Sequence, residues 1–210
     1  MRIPVVIAVA VIVLVVVVAL LFPAMHTSLR SDTGTATPSN LALTLNLNAS
    51  RITPGQGIDI TADLYYKGNQ PILVSTKGPV ILPSLYPCSQ PLLVGVKVLK
   101  GYYTVSNYSS GKSLQVFKPG VYPCPLIFAV TTYRFLPMSD RVQLIYNGTV
   151  QATLSDRTSA VVYGYYFPTS PNVSVLDFSA WNFTYFQPGV YTVVAIDYFN
   201  QTVFAYFTVT

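Results

Sequence analysis

Few side chains in this chain could do chemistry, and their types restrict what it could be. The two cysteines, Cys88 and Cys124, sit in the same local frame, Tyr86-Pro87-Cys88 and Tyr122-Pro123-Cys124. There is one histidine, His26, no glutamate, and seven aspartates. Acid–base catalysis usually rests on a His, Glu or Asp of tuned proton affinity. A Ser–His–Asp or Cys–His site cannot be built from a domain without His. Blue copper needs two His and a Cys, and glycoside hydrolysis needs two carboxyls that only Asp could supply here. Two thiolates alone do not complete a zinc site. Asp59 and Asp63 share one face of a strand pattern, and with Thr61 that face reads as the solvent side. A calcium site drawing on Asp59, Asp63 or Asp197 is the remaining metal alternative. No glycine-rich phosphate loop occurs. The expectation is a protein that is not an enzyme, with no catalytic residue, no metal and no cofactor.

The residues that do carry a chemical signal are acceptors for modification. Asn48, Asn107, Asn147, Asn172, Asn182 and Asn200 each begin an Asn-x-Ser/Thr triplet, six of the nine asparagines in the chain. Chance would give about one or two, so the density points to an N-glycosylated domain. Two cysteines in an exported chain most simply pair, and a Cys88–Cys124 bridge would stabilise the fold by about 4 kcal/mol in the chain-entropy model.

Export needs a membrane signal, and the N-terminus supplies one. Ile3 to Phe22 is an uncharged apolar run of twenty residues. As a helix it spans about 30 Å, the thickness of a bilayer core. Pro4 falls in the first turn, where its missing N–H is harmless, and Pro23 suits a stop. Arg2 favours an N-terminus held inside. The rival reading is a cleaved signal peptide, but its apolar region is usually about 7–15 residues long, and Phe22 is too large at −3 for cleavage after Ala24. Residues 1–24 are therefore read as a transmembrane anchor, 25–40 as a flexible polar tether, and 41–210 as the extracytoplasmic domain. The expected location is a single-pass membrane protein with its C-terminal domain outside the cell.

The elements of that domain read as strands. Leu41–Asn48 and Ile58–Leu64 alternate apolar and polar, the period of a half-buried strand. Arg141–Tyr146 and Thr149–Leu154 flank Asn147-Gly148, a hairpin signal. Further strands are expected at Leu92–Lys100, Leu126–Phe135, Ala160–Phe167, Val173–Phe178, Val190–Ile196 and Val203–Val209. No segment after residue 40 shows a helical period, and many short strands joined by Gly/Pro turns argue for an all-β antiparallel sandwich. Phe117-Lys-Pro-Gly-Val-Tyr122 recurs as Phe186-Gln-Pro-Gly-Val-Tyr191, one turn-into-strand device used twice. The net charge of +5 is spread over single Lys and Arg residues, unlike the clustered bases of nucleic-acid binders. Charged residues are only 9% of the chain, against about 25% in ordinary domains. With so few carboxylates to protonate, stability should change little between about pH 7 and pH 3, as suits an acidic exterior.

Pro54-Gly55-Gln56 with Ile58-x-Ile60-Thr61-Ala62 resembles the second strand of immunoglobulin-like surface domains. Pro188-Gly189-Val190-Tyr191 through Val209 resembles their last hairpin. Tyr191 then matches the tyrosine corner, and Val193 stands where antibody domains have their second Cys. The stretches Gly101–Asn107 and Pro119–Pro125, taken with the final hairpin, resemble exported, membrane-anchored immunoglobulin-like β-sandwich proteins of thermoacidophilic archaea. The resemblance covers about a third of the chain. It implies an immunoglobulin-like sandwich with an enlarged middle, residues 67–175, preceded by one transmembrane helix. It implies no activity.

Aromatics are the unusual resource: 16 Tyr, 11 Phe and one Trp. In Tyr65-Tyr66 and Tyr102-Tyr103, neighbours on a strand point to opposite faces, so one of each pair is expected to leave the core and contact a partner. The expected function is a non-catalytic surface module making adhesive or structural contacts at the cell envelope. Its partners would be the membrane through helix 3–22, other envelope proteins or surface glycans, and a second copy of itself, but not nucleic acid. One alternative is a secreted, pilus-like filament subunit assembled by donor-strand complementation through residues 41–48. Another is an accessory subunit of a membrane complex.

Overall fold

The computed structural model describes residues 40–78, 80, 82–88, 91–117, 122–123, 130–168 and 181–210, with the backbone alone for 165–168 and 181–184. The anchor, the tether before Asn40, and the strand expected at Val173–Phe178 lie outside the described residues. Among the described residues, no helix is long and apolar enough to cross a membrane.

The described chain is all-β. Its strands are β1 (Leu41–Leu47), β2 (Arg51–Ile52), β3 (Ile58–Tyr66), β4 (Ile72–Ser75), β5 (Val94–Lys100), β6 (Ser113–Leu114) and β7 (Thr132–Phe135), followed by β8 (Arg141–Tyr146), β9 (Thr149–Ser155), β10 (Arg157–Val162), β11 (Gly164–Pro168), β12 (Trp181–Tyr185), β13 (Gly189–Asp197) and β14 (Thr202–Val209). One sheet has the order β1-β3-β10 and a second the order β2-β14-β13-β5-β6. The enlarged middle supplies a third, β4-β7-β8-β9, and β11 and β12 form a separate ribbon.

Alternation along β3 explains the packing. Ile58, Ile60, Ala62, Leu64 and Tyr66 turn inward, and Asp59, Thr61, Asp63 and Tyr65 turn outward. The inward set shares one hydrophobic core with Val96 and Val98 of β5, Val193 and Ala195 of β13, Phe207 of β14, and Tyr133, Phe135 and Val142 of the third sheet. One core between two layers, antiparallel except where β2 pairs in parallel with β14, is consistent with a β-sandwich. Among the described residues, the third sheet extends that same core.

Two elements depart from the sequence reading. The strand expected at Ala160–Phe167 breaks at Tyr163, where the chain leaves β3 and begins the β11–β12 ribbon. Tyr102 and Tyr103 lie in a loop after β5, because Gly101 turns the chain at φ +116°. The Asn147-Gly148 hairpin forms with both residues at positive φ, +48° and +75°, as a two-residue turn of primed type requires.

The open side of the sandwich, between β5 and β10, is closed by residues 82–88. Val96 donates its N–H to the Pro83 carbonyl (2.8 Å), and the Tyr86 hydroxyl reaches the Ser159 carbonyl on β10. The close approach depends on Gly95, where a Cβ would lie 2.5 Å from Leu82 Cβ and 2.7 Å from the Pro83 oxygen.

The sheets have two distinct poles. Asn40, the first described residue, enters beside Lys67, whose N–H its carbonyl accepts (2.8 Å). The β13–β14 turn lies at the same pole, because Tyr198 N–H donates to Leu93 at the start of β5 (2.9 Å). The opposite pole holds the C-terminus, with Thr210 N–H bonded to Ile52 (3.1 Å), and the base of the β11–β12 ribbon. There the fully buried Tyr191 donates its hydroxyl to the Gln187 carbonyl (2.8 Å). Its ring stacks on Phe207 (5.1 Å) and meets Phe186 edge-on (4.9 Å). Tyr191→Phe removes one buried hydrogen bond and should cost about 1 kcal/mol. Tyr191→Ala also empties the aromatic cluster and should cost about 3–5 kcal/mol. Urea unfolding of the two variants measures the difference.

Candidate functional site

The candidate surface is built on the outer face of β5, β13 and β14. Leu99, Val194 and Phe204 point away from the main core and are nonetheless buried. Their cover is the loop after β5. Gly101 N–H donates to the Val190 carbonyl (2.8 Å). The buried Thr192 hydroxyl donates to the Gly101 carbonyl (2.7 Å) and accepts the Tyr103 N–H (3.0 Å). The loop then closes on itself, since Asn107 Oδ1 accepts the Thr104 N–H (2.7 Å) ahead of the 3₁₀ turn Tyr108–Ser110. Tyr108 meets Phe204 edge-on at 5.4 Å, and the Lys97 ammonium stands 4.8 Å from the centre of the Tyr108 ring. Burial lowers the proton affinity of Lys97.

The loop leaves one ring outside. Tyr102 is 64% exposed and stacks on Tyr206 at 4.8 Å with an interplanar angle of 20°. Tyr206 in turn donates its hydroxyl to the Tyr103 carbonyl (2.8 Å). Burial first, and then the neighbouring Tyr102, push the Tyr206 phenol up to about 12, so it stays a donor at any physiological pH. Further exposed apolar surface lies at the same pole. Tyr163 (51%), Tyr185 (49%), Val161 and Val190 are all exposed. Tyr163 and Val161 crowd Gly57, where a Cβ would lie 2.7 Å from either side chain, and the Tyr185 ring lies 4.0 Å from the corresponding position at Gly55. This aromatic surface sits at the end of the domain opposite the tether.

Of the four aromatics singled out in the sequence, Tyr102 is on this surface and Tyr103 is half-buried beneath it. Tyr66 is a correction. It is 4% exposed, packs 6.2 Å from Phe135 and bonds the Gln70 carbonyl (2.7 Å), because even-numbered residues of β3 face the core. Tyr65 faces outward, but at the tether pole, with its hydroxyl on the Met138 carbonyl (2.5 Å). Tyr163, Tyr185 and Tyr206 carried no sequence signal, since single tyrosines in strands are ordinary.

The acceptor asparagines are dispersed. Asn48, Asn107, Asn147 and Asn200 are exposed, the last two at positive φ in hairpin turns. Asn48 Nδ2 donates to Asp59 (3.1 Å). Asn172 and the side chain of Asn182 lie outside the described residues. Cys88 is not a free thiol, and Cys124 lies outside the described residues.

The aspartates are separated by role. Asp59 is exposed on β3. Asp197 Oδ1 accepts the N–H groups of Phe199 (2.9 Å) and Gln201 (2.7 Å), and its Oδ2 accepts Gln201 Nε2 (2.7 Å), so it serves its own turn. Burial raises it to about 6 despite those donors. Asp63 is raised by burial and by Asp140, against Arg157. Among the described residues, no group of three or more His, Cys, Asp or Glu side chains could hold a metal ion. Asp156, unremarkable in the sequence, is fully buried.

Comparison with protein-family models, curated proteins and solved structures finds no match for this chain.

Thr192→Val should leave the Gly101 carbonyl and Tyr103 N–H without partners and cost about 2 kcal/mol. Tyr102→Ala, at an exposed ring, should change stability by no more than about 0.5 kcal/mol. Chemical denaturation of both variants checks the contrast.

Proposed function

We propose that the chain is a non-catalytic cell-surface module, tethered at one pole and making adhesive or structural contacts at the cell envelope through the other. One observation carries this reading: Tyr102, Tyr163 and Tyr185 are each exposed at the pole opposite the entry of Asn40. A tether at 25–40 would hold that pole away from the membrane. Tyrosine suits contact surfaces because its rigid ring buries much area and its hydroxyl still bonds water or a partner.

An immunoglobulin-like assignment is supported by the strand order. The first, third and tenth strands form one sheet, and the last two pair with each other in the second, where β13 also pairs with β5. The Tyr191 hydroxyl on Gln187 has the form of a tyrosine corner. A helix over residues 3–22, glycans on the acceptor asparagines and a Cys88–Cys124 bridge complete the proposal. In the donor-strand reading, β1 would have to leave β3, with which it pairs at all seven of its positions.

Cosedimentation of the full chain with envelope fragments tests the contact surface. The variant carrying Tyr102→Ala, Tyr163→Ala and Tyr185→Ala should bind at least about tenfold more weakly, with its melting temperature within about 2 °C of the wild type. Equal binding by this variant would remove the surface from the proposal. Peptide mapping of the mature protein without reduction should recover Met1–Phe22 and a linked Cys88–Cys124 pair. A mature chain starting near Met25, or a free Cys88, overturns the corresponding part.

A further inference from the structure

Asp156 is the single residue between β9 and β10, where the chain passes from the third sheet into the sandwich. Three bonds meet there. Its N–H donates to the Asp140 carbonyl (2.6 Å), at the edge of the third sheet. Its carbonyl accepts the Leu64 N–H of β3 (3.0 Å). Its Oδ1 accepts the Leu93 N–H (3.0 Å), just before β5. The side chain is 0% exposed, and Oδ2 has no hydrogen-bonding partner. The titratable groups that face it are Asp63 from β3, Asp197 from the end of β13 and Tyr133 from β7. Tyr198 acts on Tyr133, and Asp140 and Arg157 act on Asp63. Asp156 thus has acidic neighbours, and among the described residues the nearby Arg157 acts on Asp63 and not on Asp156.

We propose that Asp156 is a proton-operated latch: with its carboxyl neutral it locks the third sheet to the sandwich, and with its carboxyl ionised it loosens that seam. A neutral carboxyl satisfies Oδ1 as acceptor and carries its proton on Oδ2. An ionised one places in the core a charge that only the Leu93 and Val94 N–H groups offset, a state relieved by opening the seam to water. Burial raises the group to about 8, against the Leu93 and Val94 N–H donors, with Asp197 and Asp63 adding to the rise. A group raised in the folded state contributes fully below its unfolded value of 3.8 and loses that contribution as pH climbs through about 8. The flat profile expected from the low carboxylate count is therefore replaced by a slope, with acid as the stable side.

The test uses the full chain in detergent micelles, with thermal unfolding followed from pH 3 to 9. The wild-type melting temperature should fall by at least about 5 °C between pH 5 and pH 9, the scale of a proton affinity raised by two units or more in a domain of this size. Asp156→Asn should abolish most of the fall, and Asp197→Asn should retain most of it. A flat wild-type profile, an undiminished slope in Asp156→Asn, or its loss in Asp197→Asn would each overturn the latch. Two measurements on the wild type hold even if Asp156→Asn fails to fold. The Asp156 carboxyl carbon should titrate above pH 6 by NMR, and titration near 4 would overturn the proposal. The Leu64 and Leu93 amides, corrected for intrinsic exchange, should lose protection at least about tenfold more than the Val193 amide between pH 5 and pH 8. Equal loss at all three would mean global unfolding and would overturn it.

Discussion

A buried carboxyl at a chain crossing holds the parts of this domain in one arrangement. Each sheet satisfies its own backbone, but joining a four-stranded insertion to a sandwich leaves polar groups at the seam that need partners in a dry place. Asp156 supplies them from one position: its main chain bonds Asp140 and Leu64, and its side chain bonds Leu93. An alanine there would keep the main-chain bonds and leave the Leu93 N–H without its side-chain acceptor. An asparagine could accept that bond without a charge. Solvent-exposed charges are scarce in this chain, and the buried carboxyls are its most constrained ones.

The second constraint is the outer face of β5, β13 and β14. In a simple sandwich the outer face of a sheet is solvated and its strands alternate in polarity. Here β5 is buried at nearly every position, because the loop after it folds back over Leu99, Val194 and Phe204. Thr192 holds the loop by answering both a carbonyl and an N–H. Covering that face leaves Tyr102 and Tyr206 as a stacked pair at its rim. The contact surface proposed for the protein follows from how this second small core is closed.

Topology also explains how a large insertion is tolerated. Between β3 and β10, strands β4, β7, β8 and β9 form a sheet of their own while β5 and β6 join the second sheet, but Tyr133, Phe135 and Val142 feed the common core. The insertion buries its apolar face against existing apolar surface and needs no core of its own. Residues 82–88 pass across the open side of the sandwich, where the absence of a side chain at Gly95 lets two backbones approach.

By itself the sequence determined the parts that depend on short-range pattern. Ile58–Leu64 alternates, so its strand and its inward face were readable. Asn147-Gly148 specifies a turn whatever surrounds it. The turn into β13 was readable from Pro188-Gly189 and the apolar run after it. The poverty of His and Glu bounded the chemistry. Only the tertiary structure decided what depends on distant partners. Tyr66 continues the inward set Ile58, Ile60, Ala62 and Leu64, so the alternation gave its direction, whereas its contacts with Phe135 and Gln70 come from distant segments. Tyr102 and Tyr103 lie just past the strand expected at Leu92–Lys100, and only the turn at Gly101 and the hold of Thr192, 91 residues further on, place them in a loop. Asp156, in the polar run Ser155-Asp156-Arg157, looks like a surface turn. It is buried because β3, β5 and the third sheet converge on it, and convergence of segments far apart in the chain leaves no local trace.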